Sequence, residues 1–298
     1  MTYSPHRDFA APARPSAQMH RLVLGVILIE GANSGLRWLL DAGLQALPFI
    51  SAQAVWYGST RAGLLIQLLS FAFLGLAVLV VAKRLHGRGF ASLLGPPLHA
   101  LRDMRLTLVA IFALFIVIDL LPPFWGDTAG AQLRNLPLWL LTLPLALAAV
   151  AIQTSAEELF YRGYIQQQIA ARYRQTLIWM LTPNIMFALA HWQPGDFSVQ
   201  GFQYVLWAFL FGLAASDLTA RTGTLGAAMG FHLANNAYAF LLFGEVAGPD
   251  SGLALVLFPQ GSLAAALSAS GPFFSAPYLA ELVGIALMWL VARAAIRR

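Results

Sequence analysis

Two adjacent carboxylates and a guanidinium follow an uncharged apolar run. The run Leu136–Thr154, LPLWLLTLPLALAAVAIQT, carries no charge, and the chain continues as SAEELFYRGY with Glu157, Glu158 and Arg162. Ionisable side chains at membrane depth are costly, so each one indicates a partner or a function. A glutamate in a pocket of low dielectric can act as a general base, and Arg162 can bond back to Glu158 four positions earlier on one helical face.

Histidine and amide side chains lie on two further apolar stretches. His191 ends the sequence FALAH, and His232 and Asn236 lie four apart in HLANN. Glu157 and His191 are each about sixteen residues from a predicted inner turn at 172–175. Equal distances along an antiparallel hairpin place both residues at the same depth, and Asn236 lies one turn beyond His232 on the same face.

These residue types leave several interpretations open. In an enzyme, a glutamate would deprotonate a water, and histidine and asparagine side chains would donate to the oxyanion of a tetrahedral intermediate. Two histidines and a glutamate could instead hold a catalytic zinc, although the chain contains no H-E-x-x-H pattern. Without catalysis, the same groups would form a transport or proton pathway, or a buried polar network that fixes helix packing.

The elements that position these residues are predicted to be membrane helices. The 298 residues are 59% hydrophobic and 10% charged, whereas a soluble domain carries about 25% charged residues. A helix needs about 20 apolar residues to span the hydrocarbon. We therefore predict an all-α, polytopic transmembrane helical bundle, a single membrane domain over 1–298 with a polar N-terminal tail over 1–20. The eight expected spans lie at roughly 21–46, 64–83, 106–122, 136–158 (continuing to about 171), 176–191, 201–219, 223–243 and 277–296.

The basic residues predict how the bundle is oriented. With both termini cytoplasmic, 14 of the 18 Lys and Arg residues fall in inner segments, and only Arg61 and Arg134 fall in outer loops. Such an asymmetry is typical of the positive-inside rule. We expect a multi-pass protein of the cell (inner) membrane, in contact with the lipid bilayer. The net charge of +5 then reflects topology and not nucleic-acid binding, and the absence of cysteine excludes disulfides and thiolate sites.

Other polar positions have structural interpretations. Arg37 and Asp41 lie four apart on the first span and can pair on one face. The segment 244–276 is rich in Gly, Pro and Ser, with an apolar middle, LALVLF, and predicts a long loop that lies in the interface or re-enters the bundle. A structural or interfacial role is also expected for the single acids Glu30, Asp119, Asp217 and Glu281.

Three short motifs resemble those of a known family. EELFYRG (157–163) fits E-E-x-x-x-R, FALAH (187–191) fits F-x-x-x-H, and HLANN (232–236) fits H-x-x-x-N. In this order, on neighbouring membrane helices, they resemble the CPBP family of CAAX-type intramembrane endopeptidases and bacteriocin-processing proteins, also called the Abi family. The flanking stretch 209–232 is also similar to bacterial members. The resemblance covers roughly 150–243, which would be the catalytic motif core.

The resemblance implies a glutamate-dependent protease that hydrolyses peptide bonds of membrane-associated proteins or peptides without a cofactor. A zinc metalloprotease is the alternative catalytic type. Glu157 would activate the water, with support from Glu158 and Arg162. The water and the oxyanion would be bound by His191, His232 and Asn236. Some relatives act in bacteriocin immunity or envelope regulation, so the alternative function is a non-proteolytic membrane scaffold, and a transporter is a third.

Overall fold

Helices occupy all eight predicted span positions. The structure is a computed structural model, and it describes residues 3–121, 130–262 and 272–297. Its α-helices, in chain order, are α1 (Ser4–Ala10), α2 (Met19–Gln45), α3 (Ala52–Tyr57), α4 (Arg61–Leu69), α5 (Ala72–His86), α6 (Phe90–Leu94), α7 (Pro97–Leu120), α8 (Leu136–Glu158), α9 (Gln167–Arg172), α10 (Thr176–Ala190), α11 (Val199–Thr222), α12 (Gly226–Leu241) and α13 (Ala276–Ile296).

The lengths and compositions of these helices fit a membrane bundle. Within the described residues, five segments are long and apolar enough to cross a membrane, namely α2, α4 with α5, α8 with its continuation, α11 and α13. α10 is apolar but shorter, with 15 residues. The helix that begins at Leu136 runs on for 37 residues to Arg172, past the charged motif as predicted. The predicted all-α membrane helical bundle is therefore confirmed.

The first residues are folded, although the sequence predicts only a polar tail over 1–20. α1 starts with Pro5 in its first turn, where the missing N–H of proline costs no helical hydrogen bond. A 3-10 helix, Ala11–Ser16, follows. Phe9 and Ala13 are buried. The polar tail predicted over 1–20 thus contains two short helical elements, which the sequence did not predict because six or seven residues are too few to show a helical period.

Two contacts dock this N-terminal segment on the second half of the chain. The hydroxyl of Tyr3 donates to Asp217 Oδ1 of α11 at 2.6 Å, and the ring of His6 lies against Trp179 of α10, with ring centroids 4.4 Å apart. Asp217 also accepts from Arg221 Nε at 2.7 Å. Asp217 thus has the structural role expected of it, because it ties the N-terminus to α11.

α12, which carries His232 and Asn236, packs against α7, α8 and α11. Two glycines allow the close approach to α7. A Cβ atom at Gly226 would lie 1.9 Å from Ala100 O, and one at Gly230 would lie 2.4 Å from Met104 O. Small residues four apart are the usual means by which membrane helices come this close. Backbone contact along α7 therefore fixes the rotation of α12 and the direction in which its polar residues face.

A small sheet covers the end of the bundle where α8 begins. Its strands β1 (Gln132–Leu133), β2 (Phe243–Glu245) and β3 (Val256–Phe258) are ordered β1-β3-β2, antiparallel between β1 and β3 and parallel between β2 and β3. In the segment predicted as a loop over 244–276, Leu253 and Ala254 are buried. The apolar middle of that segment therefore enters the bundle end. Its later part, including the Ala-rich stretch 263–269, lies outside the described residues.

The pair expected on α2 is not formed. Asp41 accepts from Trp56 Nε1 at 2.6 Å and from Gln45 Nε2 at 2.7 Å. The Arg37 guanidinium instead lies over the Trp56 ring, 4.8 Å from its centroid. Among the described residues no salt bridge joins Arg37 to Asp41. The expected pair is wrong because α3 brings an indole donor to the carboxylate, which no spacing along α2 reveals.

Candidate active site

The two carboxylates lie at a change of helix type. α8 begins at Leu136, where the Asn135 side chain accepts a hydrogen bond from Leu138 N at 2.9 Å and caps the helix. After Glu158 the backbone continues as a π-helix, Leu159–Gln166, in which every residue is buried. π-helical turns are rare and occur frequently at functional sites. The wider turn places the motif where three other helices can contact it.

Arg162 holds Glu158 inside the bundle. Arg162 Nη1 donates to Glu158 Oε1 at 3.1 Å, and both side chains are fully buried. Arg162 Nη2 donates to Asn184 Oδ1 of α10 at 3.3 Å and to Gly212 O of α11 at 3.1 Å. A buried ion pair needs further hydrogen bonds to offset desolvation, and this one has them. The guanidinium therefore joins the motif helix to α10 and α11.

Asn184 is a polar residue of this site that the sequence interpretation missed. Its Nδ2 donates to Met180 O at 2.6 Å and to Ser216 Oγ of α11 at 2.8 Å, while its Oδ1 receives Arg162. Asn184 lies seven positions before His191 on the same helix, so the two share a face. An amide in the apolar sequence TLIWMLTPNIMF was the available signal.

His232 stands between the two carboxylates. Its Nδ1–H donates to Glu158 Oε1 at 2.8 Å, and its Nε2 lies 3.5 Å from Glu157 Oε2. The ring is 3% exposed and is held edge-on against Phe211 of α11, with centroids 5.1 Å apart. Since the bond to Glu158 fixes Nδ1 as the donor, Nε2 is the atom that faces Glu157.

Glu157 and Glu158 are adjacent in sequence but differ in how they are bound. Glu158 accepts from Arg162 and His232, and its side chain is 0% exposed. Glu157 is 8% exposed, and its Oε2, like Glu158 Oε2, accepts no hydrogen bond from the described residues. Glu158 is therefore fixed through Oε1 and shielded, whereas Glu157 is the carboxylate that another partner can reach.

His191 lies directly after α10, whereas the predicted span 176–191 ended on this residue. It follows the last helical residue, Ala190, and its Nδ1–H donates to Phe187 O at 2.7 Å. The Phe187 ring lies between the two histidines, 4.3 Å from the ring centre of His191 and 6.2 Å from that of His232. His191 therefore borders the site across Phe187, with Nε2 left as its free ring nitrogen.

Asn236 joins the site through a second residue that the sequence interpretation missed. Its Nδ2 donates to Gln153 Oε1 at 2.9 Å, and its Oδ1 accepts from Asn235 Nδ2 at 3.0 Å. Gln153 lies four positions before Glu157, hence one turn earlier on α8. The polar site thus follows a strip of α8, and Asn236 contacts the end of that strip opposite Arg162.

The zinc alternative can be compared with these positions. Among the described residues, no three His, Asp or Glu side chains are grouped as a metal ion requires. His232 and His191 each direct Nδ1 to an acceptor, and Phe187 separates their rings. The part of the chain that the structure describes therefore does not assemble the donor set that a catalytic zinc needs.

Comparisons with known proteins agree with the motifs. Residues 137–238 match the family described as type II CAAX prenyl endopeptidase Rce1-like. A relative in Bacillus subtilis (strain 168), described as uncharacterized protein YyaK, is 28% identical over 149 residues, which are 48% of this chain and 48% of that protein. The chain thus spans about half the length of the curated relative that it matches. No solved structure matches. Since the matched segment holds all three motifs, the resemblance seen in the sequence is confirmed: residues 137–238 are similar to the type II CAAX prenyl endopeptidase Rce1-like family.

Proposed function

We propose that the protein is an intramembrane endopeptidase that hydrolyses peptide bonds with a glutamate-activated water. The observation that carries this proposal is the unequal pair of neighbouring carboxylates: Glu158 is fully buried and fixed by Arg162 and His232, whereas Glu157 accepts from neither and is 8% exposed. A general base needs a free lone pair at a fixed position, and this arrangement supplies one.

In this mechanism Glu157 takes a proton from a water whose oxygen attacks the peptide carbonyl carbon. The free His191 Nε2 accepts a hydrogen bond from the water and so orients it, and the developing oxyanion accepts one from the second N–H of the Asn236 amide. His232 is oriented next to the base by its bond to Glu158. The C–N bond then breaks, and the proton held by Glu157 passes to the leaving amine nitrogen. Proton and oxygen balance without a cofactor, so we propose metal-independent chemistry.

The substrate is proposed to be a membrane-associated peptide or protein. The site residues lie on α8 and its π-helical continuation, directly after α10, and on α12, all of them helices of the bundle. The family that matches is named for a prenylated, C-terminal peptide motif. We place the protein in the cell membrane with both termini cytoplasmic, as the distribution of basic residues predicts. Nucleic acid is not expected as a partner.

A non-proteolytic scaffold on the same fold is the second candidate function. It is favoured by the full burial of Arg162, Asn184 and Ser216, whose bonds would fix helix packing with or without catalysis. A transporter is less consistent with this network. The fully buried polar groups of the network bind each other, whereas a transport pathway needs polar groups that can bind a solute. The endopeptidase and the scaffold differ in whether they need Glu157. The endopeptidase needs it as the base, whereas the hydrogen bonds of the packing network do not include it.

The test is Glu157→Gln in the purified full-length chain, assayed with an internally quenched peptide that carries a prenylated cysteine near its free C-terminus. Glutamine keeps the size of the side chain but cannot accept the proton of the water. General-base catalysis contributes about 10²–10⁴-fold, so the turnover rate should fall by that factor. The matched control is Glu281→Gln, the same change on α13, which should cleave at the wild-type rate.

The comparison requires equal amounts of membrane-inserted, monodisperse protein for all three chains. Cleavage by Glu157→Gln at the wild-type rate would exclude Glu157 as the base. If the wild-type protein also leaves the peptide intact, native substrates are tested instead. The peptide termini in membranes that contain the wild-type protein are compared with those in membranes that contain Glu157→Gln. Identical profiles there would favour the scaffold.

A further inference from the structure

Two pairs of polar side chains bridge α8 and α12, one helical turn apart. His232 Nε2 lies 3.5 Å from Glu157 Oε2, and Asn236 Nδ2 donates to Gln153 Oε1 at 2.9 Å. The position falls by four along α8 while it rises by four along α12, so the helices are antiparallel and both pairs join the same two faces. Four residues rise about 6 Å along a helix. The pair of Gln153 and Asn236 is therefore the direct neighbour of the proposed base.

The hydrogen bonds of this second pair leave one group of Gln153 unused. Asn236 Oδ1 accepts from Asn235 Nδ2 at 3.0 Å, so Asn236 Nδ2 is the atom that binds Gln153 Oε1. Gln153 Nε2 has no hydrogen-bond partner among the described residues. The Gln153 side chain is buried, but its Nε2 is not shielded, unlike the unpaired oxygens of Gln166 and Gln168. This nitrogen is therefore within reach of a substrate atom.

A glutamine that served only to pack helices would use both ends of its amide. Asn184 does so, because its Nδ2 donates twice and its Oδ1 accepts from Arg162. An amide N–H that is removed from water and left without an acceptor costs about 1–3 kcal/mol. The unpaired Nε2 of Gln153, on the face of α8 that carries Glu157, thus indicates an acceptor that arrives with the substrate.

The carbonyl oxygen of the peptide bond under attack is such an acceptor. It gains negative charge as the water adds to the carbonyl carbon, and amide N–H groups stabilise that charge. The base lies about 2.7 Å from the water, the water about 3 Å from the carbon, and the donor about 2.9 Å from the oxyanion. Joined at the angles of these contacts, they separate base and donor by about 6–8 Å. One turn of α8 gives a comparable separation between Glu157 and Gln153.

We propose that Gln153 is a further catalytic residue, whose Nε2–H donates to the oxyanion beside the second N–H of Asn236. This inference rests on the proposed endopeptidase activity and completes its oxyanion site with a second neutral donor. As the water oxygen bonds to the carbon, the electron pair of the C=O bond moves to the oxygen that both amides bind. The pair returns to the C=O bond when the C–N bond breaks, and the two hydrogen bonds weaken again.

The first test is Gln153→Met, which keeps the length of the side chain and removes the N–H donor. Loss of one oxyanion donor lowers kcat about 10²–10³-fold. KM should stay within about twofold, because the interaction forms only as the transition state is reached. The internally quenched prenylated peptide measures both constants. The matched control is Gln175→Met, at the exposed residue before α10, which should keep both values. A Gln153→Met variant with the kcat of wild type would overturn the proposal.

A second comparison separates direct donation from support of Asn236. In the Asn236→Ala background, Gln153 no longer has that side chain to hold. If Gln153 itself donates to the oxyanion, adding Gln153→Met should lower kcat about tenfold or more below Asn236→Ala alone. Equal rates for the single Asn236→Ala variant and the double variant would show that Gln153 acts only through Asn236, against the proposal.

Binding of a phosphinate peptide provides a readout that does not depend on turnover, since its tetrahedral anionic centre resembles the intermediate. Gln153→Met should weaken this binding about 10- to 100-fold, the range for a hydrogen bond to a charged group. In the Glu157→Gln background, the uncleaved peptide should bind equally well with and without Gln153→Met. Equal weakening of both ligands indicates a structural role and contradicts the proposal. Tighter phosphinate binding would show that Gln153 presents its oxygen, and not its nitrogen, to the site.

The remaining outcomes separate this proposal from the proposed function. Cleavage that Glu157→Gln abolishes and Gln153→Met leaves unchanged refutes the oxyanion role of Gln153 alone. Absence of both cleavage and phosphinate binding in wild type refutes the endopeptidase. Thermal unfolding of each variant accompanies the assays. If Gln153→Met does not fold, Gln153→Asn decides, because it keeps the amide but withdraws the nitrogen by one methylene, and a wild-type kcat there would refute the proposal.

Discussion

Two arginines at membrane depth, in two regions of this bundle, have opposite surroundings. Arg162 is fully buried and donates to a carboxylate, an amide and a backbone carbonyl on three elements. Arg37, on α2, is half-buried, lies over two aromatic rings and has no salt bridge among the described residues. A cation whose partners are all supplied by its own chain fixes the fold, whereas one that is oriented but unpaired contributes little to it.

Removing each guanidinium in turn should give the largest difference in stability between the two regions. Arg162→Ala leaves Glu158 buried with only His232 as a partner, and breaking a buried pair typically costs about 3–5 kcal/mol. Arg37→Ala leaves no buried acid behind and should cost less than about 1 kcal/mol. Unfolding midpoints in detergent would measure the two changes. Equal midpoints for the variants would show that the Arg162 network is not structural.

The two histidines should separate catalysis from packing. His191→Ala and His232→Ala should each lower kcat about 10²–10³-fold if both act on the water or the oxyanion. Only His232→Ala should also destabilise the fold, by about 1.5–3 kcal/mol, because Glu158 loses a charged hydrogen bond. Rates and unfolding curves on the same preparations test this. A stable His232→Ala variant would show that Glu158 depends on Arg162 alone.

Glycine substitutions probe the same two regions with a single methyl group. A Cβ atom at Gly212 would lie 2.6 Å from Asn184 Oδ1 and 3.1 Å from Arg162 Nη2, so Gly212→Ala overpacks the network. We expect a cost of about 1–3 kcal/mol. Gly35→Ala on α2 meets no atom within 4 Å and should stabilise the helix by about 0.5–1 kcal/mol. Equal effects on the unfolding midpoint would contradict the difference in packing.

Much of the fold could be predicted because its determinants are local. Predominantly apolar runs predict each membrane helix, and the motif spacing brings Glu158, Arg162 and His232 together. The roles of Asn184 and Gln153 depend on which groups other helices present to them, and no spacing along one helix contains that information. The π-helix after Glu158 escaped prediction for the same reason, since its residues would also suit an α-helix.

The last prediction concerns the N-terminal segment and its dependence on pH. Burial against Trp179 lowers the pKa of His6 to about 4 from its usual value of 6.5, and neither ring nitrogen has a hydrogen-bond partner. His6 is therefore neutral when docked, and protonation favours the undocked segment. Docking is strongest above pH 6.5 and weakens by about tenfold, or 1.4 kcal/mol, per pH unit between pH 6.5 and pH 4.

Hydrogen exchange of residues 4–16 between pH 7 and pH 5 would measure this change after correction for the intrinsic exchange rate. His6→Phe should abolish the dependence while the segment stays protected. Exchange in the helices that carry Arg162 should not follow the same curve. A segment equally protected at pH 7 and pH 5 would show that His6 titrates freely.

The bond between Tyr3 and Asp217 also has a consequence for biogenesis. Its two residues are 214 positions apart, so the first helix cannot dock until α11 has left the ribosome. At about 5–20 residues per second, that interval is about 10–40 s. The N-terminal segment therefore remains undocked while most of the bundle is inserted. A bulky fusion on Met1 would then interfere with a late step of assembly, the docking of α1 on α11, and the same fusion after Arg298 would not.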